Sequence, residues 1–464
     1  MISSLLLGLL VPSVSALAQD DVTSQPTPAK RTVIDLSNYQ SIAAKLIQAA
    51  TTTDFAHQRL AELCDTFGPR FSGTTNLEAA IDWVLTRMKA DGLENVHGED
   101  VMVPHWVRGE ESAEILEPTR STLPMLGLGG SVATPKEGIT APALVVRSFD
   151  ELQKRATEAR GKIVLFNAPF VSYGQSVAYR ARGASQAAKA GAVASLIRSV
   201  TPFGLQTPHT GMMNYETNVT RIPHAAITIE DAERLQRWQE RGQKVVLRLN
   251  MSAQSLPDAP SRNVVAEIVG REKPDEIVVV SGHLDSWDIS PGAIDDVGGV
   301  VSAWEAARLM HILGLRPRRT VRVVLWTNEE NGLRGARSYA ERHRQELAKH
   351  LLAIESDRGT FHPTGFSFQG NDRANAIVGQ LASLLDGMHA DKIVPGGGGA
   401  DVEQLAPAGV PVMELTVEDA NYFWFHHTTA DTPDKVNPKD LGQCAAAMAV
   451  MAYGIADLPE ILPR

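Results

Sequence analysis

Cysteines and clusters of basic residues are scarce in this chain of 464 residues. Its two cysteines, Cys64 and Cys444, are too few for a cysteine-rich zinc site, and they neither require nor exclude one disulfide in an oxidising compartment. The net charge is -10, and no segment gathers the positive residues into a stripe. Nucleic acid and anionic membrane surfaces are therefore not expected as partners.

Long apolar runs are also scarce, and the exception is the N-terminus. Residues 1–18 form an apolar segment ending in Ala-Leu-Ala, which predicts a secretory signal peptide cleaved before Gln19. The segment has no charged start, so a misassigned start codon or an uncleaved anchor remains an alternative, although it is short for a membrane span. Residues 19–30 are polar and predict a flexible lead-in. The expected localisation is secreted or periplasmic, with no membrane contact after cleavage.

The rest of the chain has ordinary globular composition, 43% hydrophobic and 21% charged, and is long enough for two domains. Predicted helices over 41–67 and 76–92 place residues 31–120 in a main domain that resumes over 261–464. There, apolar strands alternate with helices, which predicts an α/β fold: a mixed, mostly parallel sheet flanked by helices in a three-layer sandwich.

The intervening residues 121–260 have a different pattern. Short β runs alternate there with one alanine-rich helix, and no cluster of His, Asp and Glu appears. Glycine-rich sequence at residues 127–130 lies near its start, and a Pro-containing polar stretch at 255–260 closes it. The pattern predicts a smaller, β-rich domain inserted into the main domain.

Four apolar strands of the main domain run directly into acidic or imidazole residues. These residues are His283 and Asp285, Glu329 and Glu330, Glu355 and Asp357, and the pair His426 and His427. Ligands of such sheets bind beyond the carboxyl ends of the strands, so these groups are expected at one edge. Imidazole and carboxylate without thiolate suit Zn²⁺ or a similar divalent ion, and so many groups exceed what one zinc requires. A two-metal site is the simplest interpretation.

Five motifs resemble those of the two-zinc aminopeptidases and glutamate carboxypeptidases, a co-catalytic metallopeptidase family. They occupy residues 282–288, 292–296, 328–332, 355–357 and 425–431. The resemblance extends from a turn at 68–73 to the end of the chain. It includes the inserted segment, which resembles a protease-associated domain.

The resemblance implies two Zn²⁺ ions per chain and a ligand set for each. Asp295 would bridge the two ions, with His283 and Asp357 completing one site and Glu330 and His427 the other. It also implies a cis peptide bond after Asp295.

Two further roles follow from the resemblance. Glu329 would be the general base, and Asp285 would hold the ring of His283 by accepting its second N–H. Two zinc ions carry four positive charges against three from the ligand carboxylates, with both histidines neutral. The remaining positive charge favours a metal-bridging hydroxide as the nucleophile near neutral pH.

Several other residues near the motifs have weaker assignments. Arg358, Asp401 and His426 are possible substrate contacts, although a solvated or structural role fits Arg358 equally well. His426 is expected to point away from His427, because neighbours on an extended segment face opposite sides. Turn or helix-cap roles are at least as fitting as ligation for Asp288 and Asp296.

The function expected from the resemblance is hydrolysis of dipeptides or short peptides by a zinc exopeptidase. One alternative is an amidohydrolase or glutaminyl-cyclase-like enzyme, which would work with one metal. Another is a non-catalytic peptide-binding receptor, which would have lost ligands that this sequence retains. The residues leave open whether a free amine or a free carboxylate of the substrate is anchored. The resemblance also implies a homodimer.

Overall fold

Two eight-stranded sheets organise residues 34–464, the part of the chain that the computed structural model describes. The helices are α1 Ser37–Thr51, α2 Phe55–Phe67, α3 Thr75–Ala90, α4 Phe149–Lys154, α5 Ala156–Ala159, α6 Tyr173–Lys189, α7 Ile229–Glu240, α8 Gly298–Ile312, α9 Arg334–Arg342, α10 Asp372–Ala382, α11 Tyr422–Phe425 and α12 Pro438–Asp457. The strands are β1 Glu94–Val107, β2 Glu111–Glu117, β3 Ser121–Thr122, β4 Met125–Gly127, β5 Ile139–Val146, β6 Ile163–Phe166, β7 Ala194–Arg198, β8 His224–Ile227, β9 Val246–Met251, β10 Gln254–Ile268, β11 Lys273–His283, β12 Arg319–Trp326, β13 His350–Glu355, β14 Pro363–Phe368, β15 Lys392–Val394 and β16 Val412–Val417. The predicted signal peptide and lead-in, residues 1–30, lie outside the described residues.

The main sheet has the strand order β1-β10-β12-β11-β13-β16-β14-β15. Its central strands β12, β11, β13 and β16 are parallel, whereas β1, β10 and β14 join it by antiparallel pairing. The four strands predicted to carry the site residues therefore lie side by side with their carboxyl ends at one edge. The mixed α/β fold expected from the sequence is confirmed.

Helices cover both faces of the main sheet. One face packs against α1, α2, α8 and α12, and α12 is buried along almost its whole length, as its Ala and Met content predicts. The opposite face packs against α9 and short helical turns, with Trp326 and Tyr339 among the buried side chains. Because both faces are covered, the central strands are continuous apolar runs rather than alternating ones.

The second sheet has the order β3-β2-β9-β5-β6-β7-β8-β4 and contains strands from Glu111 to Met251. The sequence interpretation placed this unit at 121–260. The difference arises at both ends, because β2 pairs with β9 of the second sheet, while residues 254–260 pair with β1 of the main sheet. Pro257 and Pro260 are tolerated there because that part of β10 has a neighbour on one side only.

Three local features differ from the pattern-based predictions. The helix predicted over 41–67 is two helices that meet at Thr52–Asp54, where the hydroxyls of Thr51 and Thr52 donate to carbonyls one turn back. The pattern of residues 333–350 predicts one helix, but α9 ends at Arg342. Strands β14 and β15 were not predicted.

Neither cysteine forms a disulfide, and both side chains are buried. The Cys64 thiol lies near the carbonyl of Pro291, and the Cys444 thiol donates to that of Phe361. Within residues 34–464, no helix combines the length and the apolar character that a membrane crossing requires.

The end of β11 and the start of α8 approach each other so closely that only glycine fits. A Cβ on Gly282 would lie 2.6 Å from the Gly299 carbonyl carbon, and one on Gly299 would lie 1.9 Å from the Ser356 carbonyl oxygen. We therefore expect Gly299→Ala to lower the free energy of unfolding by about 1–3 kcal/mol, measured by urea denaturation.

The matched control is Gly379→Ala, since Gly379 lies in α10 and a Cβ there meets no atom within 4 Å. This change is expected to raise the same free energy by up to about 1 kcal/mol, through helix propensity. Equal effects of the two substitutions would contradict the close-packing explanation.

Candidate metal centre

The predicted ligands converge at the carboxyl edge of the main sheet. His283 is the last residue of β11, Glu330 follows β12, Asp357 follows β13, and His427 lies just beyond α11. Asp295 lies in the helical turn Ala293–Val297 that leads into α8, and its peptide bond to the next residue is cis, as the resemblance predicts.

Asp295 stands between two sets of side chains, with one oxygen facing each. Its Oδ1 lies 3.2 Å from His283 Nε2, which is 3.4 Å from Asp357 Oδ1. Its Oδ2 lies 3.3 Å from His427 Nε2, which is 3.0 Å from Glu330 Oε2. The structure therefore groups the five predicted ligands into two sets that share one carboxylate.

The spacing of these atoms fits divalent cations. Ligands bound tetrahedrally to zinc at about 2.0–2.1 Å stand about 3.3 Å from one another, close to the distances in both sets. Buried oxygens of Asp295 and Glu330 also lack a hydrogen-bond partner among the described residues. Unpaired buried carboxylate oxygens are costly unless a cation satisfies them. The donor set therefore fits two metal ions.

The tautomers of the two histidines suit the same arrangement. The Nδ1 of His283 donates to the Asp285 carbonyl at 2.9 Å, and the Nδ1 of His427 lies 3.3 Å from the Thr210 carbonyl. Because a carbonyl only accepts, these contacts place the proton on Nδ1 when each imidazole is neutral, as metal binding requires, and its Nε2 lone pair then faces carboxylates. A cation bound there would remove the repulsion between the nitrogen lone pair and the carboxylate oxygens.

The pKa values reflect an excess of buried negative charge. Burial raises the pKa of Glu330 well above its usual value, and the neighbouring Asp295 carboxylate raises it further. Burial lowers the pKa of His283, but hydrogen bonds to Asp295 and Asp357 outweigh it and raise that pKa well above its usual value. The centre thus stabilises positive charge, whether as a proton or as a metal ion.

Glu329 lies beside the two sets rather than in either of them. Its side chain lines the cavity above the centre, and burial raises the pKa of its carboxyl to about 8 against the attraction of His283. Bound cations would lower this pKa towards neutrality, which suits a base that exchanges protons near neutral pH.

Asp285 holds the ring of His283 with a different atom from the one expected. Its carboxylate oxygen lies 3.9 Å from His283 Nδ1, too far for a hydrogen bond, and the backbone carbonyl holds the ring instead. The carboxylate accepts the backbone N–H groups of Glu329 and Glu330, at 3.0 and 3.3 Å. Asp285 therefore orients the adjacent glutamates as well as the histidine.

Asp296 and Asp288 have structural partners. The carboxylate of Asp296 accepts the backbone N–H groups of His283 and Gly299, each at 3.0 Å, so its oxygens are occupied although it lies near the first set. Asp288 receives two hydrogen bonds from Arg108, at 2.7 and 2.8 Å.

Two residues hold the segment between His283 and Asp295. The buried Arg70, in the turn at 68–73, donates to the carbonyls of Leu284 and Pro291 at 2.9 and 2.7 Å. Asp431 accepts the backbone N–H of Asp295 at 3.1 Å. Both residues belong to the segments that carry the resemblance, and the contacts give each a positioning role.

The orientation expected for His426 is wrong. Its ring stacks on that of His427 with centroids 3.6 Å apart, because His427 has a φ of 59° and the segment is not extended. Its Nε2 lies 3.8 Å from Asp295 Oδ2, farther than the corresponding atom of His427. His426 therefore lines the cavity beside the second set.

The other possible substrate contacts lie in different environments. Arg358 lines the cavity, about half exposed, and its Nε lies 3.3 Å from Glu414 Oε2. Asp401 is fully buried, and its backbone N–H donates to Glu355 Oε2. The structure places Arg358 where a substrate could reach it, whereas Asp401 is not among the cavity-lining residues.

A cavity of about 590 Å³ opens above the centre, and the second sheet unit supplies part of its wall. Tyr173 and Arg180 of α6 line it, as do Asp357 and Glu329. Thr210, also in this unit, donates its N–H to the His427 carbonyl at 3.0 Å. Sequence reasoning missed these residues, since the inserted segment has no ligand cluster that would mark them.

Comparisons with known proteins identify the family of this chain. Residues 263–452 match peptidase family M28. Carboxypeptidase Q of Mus musculus is 49% identical over 433 residues, which cover 93% of this chain and 92% of the relative. The chain belongs to peptidase family M28. This M28 protein is therefore a metallopeptidase, and the family resemblance drawn from the motifs is confirmed.

Two solved structures share the fold. The peptidase M28 precursor from Shewanella amazonensis has a TM-score of 0.88 at 36% identity, covering 92% of this chain and 98% of that chain. BSAP, a zinc aminopeptidase from Bacillus subtilis, has a TM-score of 0.65 at 21% identity, covering 88% and 98%. At that identity the second likeness concerns the fold alone.

Proposed function

We propose that this M28 metallopeptidase is a zinc exopeptidase that hydrolyses dipeptides or short peptides with two Zn²⁺ ions per chain. The observation that carries the proposal is the position of Asp295, whose two oxygens face two separate sets of one imidazole and one carboxylate. His283 and Asp357 would hold one ion, and Glu330 and His427 the other. All predicted ligands are present, which argues against a non-catalytic receptor.

The bound ions would acidify a water molecule and polarise the scissile carbonyl. Glu329 takes one proton from that water molecule while the water oxygen attacks the carbonyl carbon. The same carboxyl then gives the proton to the leaving nitrogen as the C–N bond breaks, which releases an amine and a carboxylic acid, and the acid loses its proton to solvent near neutral pH. Asp285 keeps Glu329 in place for both transfers by accepting its backbone N–H.

The second sheet unit supports a preference for short substrates. Because α6 walls one side of a cavity of about 590 Å³, the space above the centre suits a few residues rather than a long chain. We assign this unit, predicted as an insertion over 121–260, to the protease-associated type on the basis of its sequence resemblance. Secretion or periplasmic location and a homodimer belong to the same proposal, and they rest on the predicted signal peptide and the resemblance.

An assay with three classes of substrate tests this function. The zinc-loaded protein is expected to hydrolyse unblocked dipeptides faster than N-blocked peptides or aminoacyl amides, and a chelator should abolish the activity. Zinc is measured in parallel by mass spectrometry, with about two ions per chain expected.

Each other outcome has a distinct meaning. A zinc content near one per chain together with cyclisation of N-terminal glutamine would favour the cyclase-like alternative. No turnover of any of the three classes with zinc bound would contradict the exopeptidase proposal.

A further inference from the structure

One carboxylate in the cavity wall has no part in the metal centre. Of the described residues that line the cavity, five are acidic, and four of these are the predicted ligands and base: Asp295, Glu329, Glu330 and Asp357. The fifth is Asp419, the first residue of the turn Asp419–Asn421 that leads into α11. Because its side chain is 53% exposed and borders the cavity, its carboxylate is open to a substrate.

The Asp419 carboxylate is not used by the local structure. It makes no hydrogen bond that caps the turn it begins. Its ion pair within residues 34–464 is with Arg358, whose Nη1 lies 3.9 Å from Asp419 Oδ2. The Nε of the same arginine lies closer to Glu414, 3.3 Å from its Oε2. An ion pair as long as that with Asp419, between half-exposed groups, is weak, so Asp419 can bind a second cation.

The position of Asp419 in the wall is close to the first set of ligands. Arg358 follows Asp357 directly in the chain and reaches Asp419 with its guanidinium, and all three residues line the cavity. The α-amine of a substrate stands only one Cα from the carbonyl carbon that is attacked. When that carbonyl faces the ions, the amine therefore lies in the part of the cavity that these three residues border.

The charges around this part of the wall favour a cation over an anion. Two Zn²⁺ ions carry four positive charges, which are matched by four carboxylates of the centre: Asp295, Glu329, Glu330 and Asp357. The loaded centre as a whole therefore does not repel an ammonium group. An acidic substrate group approaching Arg358 would instead meet the carboxylates of Asp419 and Glu414, which both lie within 4 Å of the guanidinium.

We propose that Asp419 binds the free α-ammonium group of the substrate residue whose carbonyl is attacked. The observation that carries the proposal is that Asp419 is the cavity-lining carboxylate that neither holds metal, nor acts as base, nor caps its own turn. A charge-assisted hydrogen bond from the ammonium group to this carboxylate would fix the first residue of the substrate beside the ions.

The inference rests on the proposed exopeptidase function and names its substrate class. A free amine on the residue whose carbonyl is attacked is the mark of dipeptides and of longer peptides cut after their first residue. Substrates with an acylated amine, or with a neutral group in its place, would lack the contact with Asp419. The residue therefore selects for a free N-terminus.

A matched pair of substrates tests the assignment with the zinc-loaded full chain. Lactoyl-leucine differs from alanyl-leucine only in having a neutral hydroxyl in place of the ammonium group. Asp419→Asn should lower kcat/KM for alanyl-leucine about 10-fold and leave the value for lactoyl-leucine unchanged, whereas Asp419→Glu should retain part of the preference. The loss should appear in KM, because the contact is the same in the bound substrate and in the transition state. Zinc content should not change.

The control is Glu418→Gln at the neighbouring position, which is exposed but does not line the cavity, and it should keep the full preference. Calorimetry with leucinol and with 4-methylpentane-1,2-diol, its hydroxyl counterpart, gives a readout that does not need turnover. Asp419→Asn should weaken the binding of leucinol and leave that of the diol unchanged.

Equal losses for the two substrates, or no loss for either, would overturn the assignment while leaving the exopeptidase function in place. A loss confined to lysyl-leucine relative to norleucyl-leucine would also overturn it, because Asp419 would then bind a side-chain ammonium group. Failure of the exopeptidase function would instead appear as absent turnover by the wild-type protein, with the leucinol data still deciding the role of Asp419.

Discussion

Replacing Glu329 by Gln is expected to lower kcat by about 10²- to 10⁴-fold while both metal ions stay bound. The side chain lines the cavity but belongs to neither ligand set, so its charge is needed for proton transfer rather than for holding metal. Glutamine keeps the size and the backbone contact to Asp285 and loses only the ability to accept a proton. The measurement is kcat on a dipeptide together with zinc per chain.

Glu341→Gln provides the matched control for this substitution, since Glu341 is an exposed residue of α9 away from the cavity. It should leave both kcat and zinc unchanged. Near-normal turnover of the Glu329 variant would remove this residue from the role of base, and loss of zinc would assign it to the ligands instead.

The second large effect concerns the shared carboxylate. Asp295→Asn should reduce zinc to well below one ion per chain, because one residue contributes an oxygen to both sets. His283→Asn and His427→Asn should each leave about one ion, since each removes the nitrogen from a single set. The loss of affinity should exceed the 10- to 100-fold typical of changes to groups that merely support a ligand.

Zinc per chain after dialysis, measured by mass spectrometry, separates these variants. His311→Asn, at an exposed position on α8, should keep the wild-type content. If Asp295→Asn and His427→Asn lost the same number of ions, Asp295 would not be the bridge.

Three of the predicted ligands, His283, Glu330 and Asp357, could be placed from the sequence because each follows a recognisable strand, whereas the ligand role of Asp295 was implied by the family resemblance. Residues such as His283 and Glu330 lie within a few positions of an apolar β run, and parallel strands bring such positions to one edge whatever the detail of the fold. Covered sheet faces likewise follow from continuous apolar strands. Local pattern and one topological rule were sufficient for these features.

Contacts between distant segments could not be predicted in this way. The stacking of His426 on His427 depends on a positive φ that residue type does not dictate, and the carboxylate of Asp285 turned to the backbone of Glu329 rather than to the imidazole. Arg180 and Thr210 meet the centre because the second sheet packs over it. No spacing within residues 121–260 indicates that packing.

The two hydrogen-bonding contacts between Thr210 and His427 connect the second sheet unit directly to the candidate metal centre. Thr210 donates to the His427 backbone and accepts from its ring, so the second sheet unit cannot lift away without disturbing the residue that would hold an ion. By thermodynamic reciprocity, if the Thr210 contacts strengthen the binding of an ion by His427, the bound ion stabilises those contacts by the same free energy. We therefore expect the bound ion to stabilise the contact between the two sheets. Chelation should speed proteolytic cleavage of the segment around Thr210, and resupplied zinc should slow it.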